Sequence, residues 1–388
     1  MQEDLVQRRK QRWLIALFFL LAGLLTASWA SRIPEIQSKL RLNNAAWGTV
    51  LFGIPAGQVV GMLLAGRLVA HYGAKRMMMV AAVTGSATLV LTSFSVTSWQ
   101  LVAVLFLLGT TRTLINLAMN TGAVELQKQY ERPILSSFHG VWSLACFVAA
   151  AVGTWMIVQN IKPSLHFLLM ALLVAATALF FYRRLKIDNA VSESRPFFVR
   201  PDRYLFLLGL IALCAMLCEG AMFDWGVNYF EKVVKADKRF VTAGYTSFIV
   251  AMAVGRLVGD RLIGAYGIYR MLRTNAVLMA AGYFVAALFP SLLPAALGFL
   301  LIGAGDSILV PMIYLLASKS AKMPPNYALQ AVTLIGYAGF LIGPLFIGNV
   351  SQHLGMGAAF FCLSAVCLLI LFLSVQVKKM VVATVSNP

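Results

Sequence analysis

Long apolar stretches follow one another along the whole chain, separated by short polar segments. Each is about as long as a helix that crosses a bilayer, which needs roughly 20 apolar residues. The pattern therefore predicts an all-α membrane protein of twelve transmembrane helices. The predicted spans, numbered 1 to 12, are residues 13–31, 45–69, 77–97, 99–126, 135–159, 164–182, 204–230, 241–263, 273–290, 292–318, 328–351 and 356–377.

Composition supports this interpretation. Of the 388 residues, 60% are hydrophobic and 12% are charged, whereas soluble domains carry roughly a quarter charged residues. The first segment, MQEDLVQRRKQRW, is charged, and no cleavage site of small residues follows the first apolar run, so span 1 is expected to stay as an anchor. All five cysteines fall inside predicted spans, which suggests neither a disulfide framework nor a metal site.

The net charge of +18 could point to nucleic acid, but its distribution points elsewhere. Most of the 32 Lys and Arg residues lie on one side of the membrane if both termini are inside. That asymmetry follows the positive-inside rule. We therefore expect a multi-pass protein with both termini in the cytoplasm and no nucleic-acid partner. The loop EKVVKADKR, residues 231–239, is an exception, because it is basic and lies outside.

The chain contains an internal repeat. A shift of 194 residues aligns GRLVAHYGAKRM (66–77) with DRLIGAYGIYRM (260–271), and LLGTTRTL (107–114) with LIGAGDSI (301–308). Two matches at one offset favour a duplicated six-helix unit. The predicted domains are two six-helix halves, 1–182 and 204–388, joined by a polar cytoplasmic linker at 183–203.

The two halves, the central loop and the Gly-x-Leu…Tyr-Gly-x-Lys-Arg loop after span 2 resemble the major facilitator superfamily. Within it, GLLTASWASRIPEIQ, SSFHGVWS and EGAMFDW are similar to the branch of fucose permease and bacterial inner-membrane proteins. The resemblance implies two pseudo-symmetric halves that transport by alternating access. It also implies a monomeric protein located in the bacterial inner membrane. The chain departs from the family at Ala70 and Gly264, where the loop motif usually carries an acid.

Four charged residues are expected to lie within the membrane: Arg112, Glu219, Asp224 and Asp306. The other charged residues of the spans are counted with the helix ends. Charge at mid-bilayer costs about 2.5–3.5 kcal/mol or more, so such residues are functional candidates. In the resembled fold, helices 1, 4, 7 and 10 line the cavity, and all four residues lie on three of these. Arg112 and Asp306 are equivalent under the repeat, which predicts an ion pair between the halves. The alternative is a fixed salt bridge that helps the halves to pack.

Glu219, Asp224 and Asp306 are the candidates for proton coupling. Glu219 and Asp224 are five residues apart, about 140° around a helix, so both face the cavity only if the helix bends, which Gly220 and Gly226 would permit. Glu219, which lies deeper, is the first choice as proton carrier. Asp224, about 7 Å further out, suits solute contact, and the two roles could be exchanged.

Candidate solute contacts follow span 4. Arg112, Asn116 and Asn120 recur every fourth residue and form one polar stripe, which should face protein or cavity and not lipid. Interhelical hydrogen bonding is the alternative. Trp29 and Trp225, on spans 1 and 7, could stack on a sugar-like solute, and Asp224 could contact its polar groups. Interior tryptophans, however, more often pack in a core.

Charged residues at the inner helix ends are candidate gating groups. Glu125 is expected to pair with Lys75 or Arg76 as a latch, and the loop motif and its repeat supply the rest. The full set is Arg67, Lys75, Arg76, Glu125, Arg261 and Arg270.

A phosphate-binding loop, a metal-ligand cluster and a nucleophile elbow are absent from the sequence. We expect no cofactor and no enzymatic activity. The sequence predicts a secondary active transporter of a small polar, possibly sugar-like solute, coupled to protons as a symporter. Two alternatives stay open: proton-driven efflux of an amphipathic compound, and a non-transporting receptor or partner-binding protein.

Overall fold

The computed structural model describes residues 2–130, 134–186, 201–320 and 322–386. In this part of the chain there are fifteen α-helices and no strand. The helices are α1 (Gln2–Ser31), α2 (Ile33–Lys39), α3 (Asn44–Leu51), α4 (Gly53–Tyr72), α5 (Ala74–Phe94), α6 (Ser98–Gln127), α7 (Leu135–Val158), α8 (Pro163–Tyr182), α9 (Arg203–Lys232), α10 (Ala243–Tyr266), α11 (Ile268–Leu288), α12 (Leu292–Asp306), α13 (Leu309–Ala317), α14 (Pro325–Leu354) and α15 (Met356–Ser386).

Each predicted span coincides with one helix or with a pair of consecutive helices. The pair α3 and α4 forms span 2, and the pair α12 and α13 forms span 10. The short helix α2 lies in the connection between spans 1 and 2. The prediction of an all-α protein with twelve membrane helices is confirmed.

Eleven of the described helices are long and apolar enough to cross a membrane. The twelfth span is α10, whose 24 residues reach about 36 Å and exceed the hydrocarbon thickness of about 30 Å. It carries three charged residues, Arg256, Asp260 and Arg261, which is more than the apolar stretches of the other eleven helices contain.

The chain divides into two compact units. Unit 1 consists of Met1–Leu42 and Val50–Arg195, and unit 2 of Asn43–Thr49 and Pro196–Pro388. Most of the predicted linker 183–203 lies outside the described residues, which resume at Pro201. The division into two six-helix halves with those boundaries stays a prediction.

Unit 1 is held together by close approach of its helices. The pairs α4 with α6, α1 with α7, and α5 with α6 and α8 pack most extensively. A side chain at Gly57 of α4 would collide with the main chain of Phe106, and one at Gly109 of α6 with that of Ile54. The Thr110 hydroxyl donates to the Gly57 carbonyl at 3.0 Å. Small residues and hydroxyl groups join helices in membranes in this way, where apolar burial alone favours no partner.

Unit 2 follows the same rule. In it α9 packs on α14, and α12 packs on α10 and α11. A side chain at Gly303 of α12 would collide with the main chain of Phe248 on α10. The rings of Tyr229 and Phe360 stack with centroids 4.2 Å apart and join α9 to α15 in the core of the unit.

The tenth span is broken just after its midpoint. Helix α12 ends at Asp306 and α13 begins at Leu309. Proline at position 311 explains the break, because it has no N–H to donate and its ring clashes with the carbonyl four residues earlier. That carbonyl belongs to Ser307, which is therefore left without its helical partner.

Candidate functional site

A cluster of three charged side chains lies within the spans of unit 2: Glu219 on α9, Arg256 on α10 and Asp306 at the end of α12. Arg256 Nη2 lies 3.8 Å from Glu219 Oε1. Asp306 interacts electrostatically with both of the other groups. We call these three residues the unit 2 charge cluster.

The broken span positions this cluster. Arg256 Nε donates to the main-chain oxygen of Ser307 at 3.4 Å, which is the carbonyl released by Pro311. Helix α10 can come so near because residue 255 is glycine, and a Cβ atom there would collide with the Ser307 side chain. Pro311 on α13 and Gly255 on α10 thus help to place the guanidinium group of Arg256 near the carboxylates of the cluster.

Asp306 is deeply buried, with 3% of its surface exposed. Neither carboxylate oxygen has a hydrogen-bond partner among the described residues. An ionised carboxylate in such a place costs several kcal/mol unless a cation pairs with it, and binding a proton removes that cost. Asp306 therefore depends on Arg256 or on a proton, because Glu219 has the same charge and repels it.

Glu219 and Arg256 are more accessible. Their side chains are 17% and 32% exposed. At 3.8 Å the ion pair is longer than the usual 2.7–2.9 Å of a charge-assisted hydrogen bond. The contact therefore leaves N–H groups of Arg256 able to bind another acceptor.

The helix that carries Glu219 is tied firmly to its neighbours. The Tyr283 hydroxyl donates to the carbonyl of Cys218 at 2.7 Å, and the sulfur atoms of Cys218 and Cys367 are 3.6 Å apart. These contacts fix α9 against α11 and α15 at the depth of the cluster.

Two glycines in span 7 would permit a bend, as the sequence analysis noted. Helix α9 runs unbroken through Gly220 and Gly226. Both glycines instead make room for neighbours, because a Cβ atom would lie 3.0 Å from the Phe340 ring at Gly220 and 3.1 Å from the Phe299 ring at Gly226. Asp224 is half-buried on the same helix.

The two tryptophans proposed as solute contacts are buried. Trp29 is 2% exposed and Trp225 is fully buried. In this structure both indoles lie in the packed interior, so stacking on a solute would require a different arrangement. Their predicted role in solute binding stays untested.

The three residues of the predicted polar stripe lie on α6 in unit 1. Asn120 Nδ2 donates to Asn116 Oδ1 at 2.6 Å and to the Asn116 carbonyl at 2.8 Å. Asn116 is exposed, and Arg112 and Asn120 are half-buried. Arg112 has no hydrogen-bond or ion-pair partner among the described residues of unit 1. Its predicted pairing with Asp306 joins the two units and stays a prediction.

The predicted latch between Glu125 and Lys75 or Arg76 is not what the structure shows. Glu125 pairs with Lys128 at 2.7 Å, three residues along α6. Lys75 lies 4.9 Å from the centre of the Tyr182 ring, and Arg76 lies 5.9 Å from that of the Tyr72 ring. Glu125 thus pairs with a residue three positions along the same helix, a favourable spacing, and not with the distant Lys75 or Arg76.

The other predicted gating residues are exposed. They are Arg67 on α4, Arg261 on α10 and Arg270 on α11. Arg270 lines an open surface cavity of about 400 Å³ with Arg273, Thr274, Val277 and Leu278. Their gating role stays untested.

Arg256 is the residue that the sequence analysis missed. Its predicted span, 241–263, contains it, but it was counted with the basic residues of the inner helix end. Ten residues separate it from the last residue of α10, or about 15 Å along the axis. That depth was the available signal, because it places a guanidinium well inside the hydrocarbon region.

Twelve membrane-crossing helices with charges held inside them define a membrane transport protein. The sequence model of the Major Facilitator Superfamily matches residues 14–338, and the chain belongs to this family of transporters. The resemblance to the superfamily is thereby confirmed, and the protein is a carrier and not an enzyme.

Relatives and solved structures agree with this assignment. An uncharacterized MFS-type transporter of Yersinia pestis is 30% identical over 352 residues, which cover 91% of this chain and 92% of the relative. The crystal structure of the nucleoside transporter NupG has a TM-score of 0.74 at 14% identity and covers 95% of this chain and 99% of its own. That of the Escherichia coli fucose:proton symporter FucP has a TM-score of 0.58 at 17% identity and covers 94% and 97%.

Proposed function

We propose that this transporter moves a small polar solute together with protons across the bacterial inner membrane, as a monomer with both termini in the cytoplasm. The observation that carries the proposal is the unit 2 charge cluster, in which two carboxyl groups share one guanidinium inside the membrane spans.

The charge count explains why a proton should bind there. With Glu219, Arg256 and Asp306 all ionised, the cluster carries one uncompensated negative charge, and Asp306 is buried without a hydrogen bond. One proton makes the cluster neutral. Because an unpaired buried charge costs several kcal/mol, the free energy of each conformation depends on whether that proton is bound. This dependence is what a proton-coupled carrier needs.

The proton carrier is Glu219 or Asp306. Glu219 is the more accessible of the two, so it exchanges a proton with solvent more readily. Asp306 holds the charge that most needs compensation. We assign Glu219 as the site of proton exchange and Asp306 as the group that couples it to Arg256.

Support for a small polar solute comes from two sources. The stripe of Arg112, Asn116 and Asn120 offers hydrogen-bond donors and acceptors on α6. Two proteins of the same fold are named for small polar solutes, a nucleoside in NupG and fucose in FucP.

The test uses purified protein in liposomes with L-fucose and uridine as first probes, each screened by ligand-induced thermal stabilisation. For a solute that binds, Glu219→Gln and Asp306→Asn should each abolish uptake driven by a pH gradient. Counterflow exchange, which needs no net proton movement, should persist in Glu219→Gln, because Gln resembles the protonated carboxyl. Asp260→Asn, an exposed acid on α10 outside the cluster, is the matched control. Gradient-driven uptake in both cluster variants would reject the proposal.

One observation favours a second candidate, proton-driven efflux of an amphipathic cation. The single excess negative charge of the cluster could be neutralised by a cationic solute instead of a proton, which is the basis of exchange. The direction of the pH change inside liposomes separates the two. Solute added outside should acidify the lumen in symport and make it alkaline in exchange.

A further inference from the structure

Unit 1 contains a second group of buried titratable residues, apart from the unit 2 charge cluster. Arg32, between α1 and α2, and His166, in the first turn of α8, are both fully buried. Arg32 Nε donates to His166 Nδ1 at 3.1 Å, and Arg32 Nη1 pairs with Glu35 Oε2 at 2.5 Å. The side chain of Glu35 is 37% exposed.

Local packing explains why these residues meet although 134 positions separate them. Helix α7 contributes Gly153 at this point, where a side chain would collide with Ser31 and would lie 3.5 Å from His166 Cε1. The absence of that side chain lets the end of α1 settle against α8. Arg32 then points at the imidazole from the corner between α1 and α2.

The hydrogen bond fixes the protonation state of the histidine. A guanidinium only donates hydrogen bonds, so Nδ1 must accept with its lone pair, and the imidazole is the neutral tautomer with its proton on Nε2. A second proton on Nδ1 would remove the acceptor. It would also place two cations in contact inside the protein, where their repulsion is weakly screened.

Among the residues that the structure describes, no carboxylate pairs directly with the imidazole to offset that repulsion. Arg32 is the group that acts electrostatically on His166, and Glu35 reaches it through Arg32. The described residues of α5 and α7 supply no charged side chain to His166. Two further donors, Arg32 Nη2 and His166 Nε2, are buried without a hydrogen-bond partner among the described residues.

The other end of α2 is held by a contact that cannot titrate in the same way. Lys39 Nζ donates to the carbonyls of Ser93 at 2.6 Å and Ser95 at 2.9 Å. These carbonyls do not change charge with pH. Unlike the contact at Arg32, this attachment therefore does not depend on the proton at a histidine.

We propose that His166 is a proton-sensing residue that releases the corner between spans 1 and 2 when it is protonated. At neutral pH the imidazole accepts from Arg32 and holds the corner against α8. At acidic pH the imidazolium repels Arg32, the corner detaches, and α2 remains attached through Lys39. This site is separate from the unit 2 charge cluster, and it would exist whether or not that cluster carries the transported proton.

Hydrogen–deuterium exchange of the full-length protein in nanodiscs tests the proposal at pH 7.5 and pH 5.0, with rates corrected for the intrinsic pH dependence of amide exchange. Peptides that cover residues 32–42 should exchange at least about tenfold faster at pH 5.0 in the wild type. Peptides at the inner end of α4 should show no such change. A wild-type protein whose corner exchanges equally at both pH values would overturn the proposal.

Two variants assign the response. His166→Asn keeps an acceptor oxygen near the position of Nδ1 but does not titrate, so its corner should exchange slowly at both pH values. Arg32→Gln removes the guanidinium. Because the buried position of His166 still disfavours an imidazolium, this variant should show a smaller pH response than the wild type, even if its corner exchanges faster. His71→Asn, an exposed histidine at the end of α4, is the matched control and should keep the wild-type response. A pH response that survives in His166→Asn, or one that is undiminished in Arg32→Gln, would contradict the proposal, and each variant decides alone if the other does not fold.

Discussion

The Nε atom of Arg256 donates a hydrogen bond to the main-chain oxygen of Ser307, 3.4 Å away. This oxygen is free because Pro311 cannot return a helical hydrogen bond to it. The contact therefore joins a helix break to a charged side chain, and through that side chain to Glu219. A change in the break is transmitted directly to the charge cluster.

Replacing Pro311 should separate folding from transport. In Pro311→Ala the new N–H can bond to Ser307, so the tenth span can continue as one helix and Arg256 loses its acceptor. We expect a melting temperature equal to or above that of the wild type and gradient-driven transport reduced by at least about tenfold. Wild-type transport in a well-folded Pro311→Ala protein would show that the break is dispensable.

Removal of the cation should destabilise unit 2. Arg256→Met leaves Glu219 and Asp306 without the positive partner that unit 2 provides. Losing one member of a buried pair typically costs about 3–5 kcal/mol, and because Arg256 is partly exposed we expect on the order of 1–3 kcal/mol. Denaturant unfolding measures the loss. In a Glu219→Gln, Asp306→Asn background the same change should cost much less, and an equal cost there would mean that Arg256 acts through packing alone.

Arg112 and Asp306 are predicted to interact between the two repeats. Arg112→Met and Asp306→Asn should each lower stability or transport, since each strands a charge. The double variant should recover part of the loss, and a double-mutant cycle measures the interaction. Strictly additive losses would rule out the pair.

Asp224 is predicted to contact the solute. Asp224→Asn should weaken solute binding, and with it both counterflow and gradient-driven uptake, measured against the wild type at several solute concentrations. Glu219→Gln should weaken gradient-driven uptake alone. If the two variants behave in the opposite way, their roles are exchanged.

The orientation of the chain can be tested by labelling. Four of the native cysteines are buried and Cys362 is partly buried, so they provide a low background. A cysteine placed at Asp237 should react with an impermeant reagent added outside intact cells, and one at Ser192 should react only after lysis. The reverse pattern would invert the topology.

The sequence predicts the helices well and the charge network only in part. Membrane spans are long apolar runs, so their positions follow from composition, and carboxylates such as Glu219 stand out inside them. Arg256 was missed because it was counted with the basic residues at the inner end of the same helix. Pro311 releases the carbonyl of Ser307, but the sequence does not show that Arg256 on α10 binds this carbonyl, because that depends on which helix packs beside the break.

Contacts between distant segments were the least predictable. Glu125 pairs with Lys128, a local choice that spacing favours, whereas the contact of Arg32 with His166 requires the packing of three helices around Gly153. No periodicity in the sequence predicts the contact between Arg32 and His166. It depends on tertiary structure and on the absence of one side chain.

The charged residues inside α10 have a consequence for the synthesis of the protein. An arginine near the centre of a helix raises the free energy of insertion by about 2.5–3.5 kcal/mol on scales measured with the translocon. Glu219 lies on α9, which leaves the ribosome just before α10, and it offers Arg256 an opposite charge during insertion. The ion pair would thus assist biogenesis before it takes part in transport. Variants of Glu219 should accumulate in smaller amounts in the membrane, so their transport rates need to be expressed per inserted molecule.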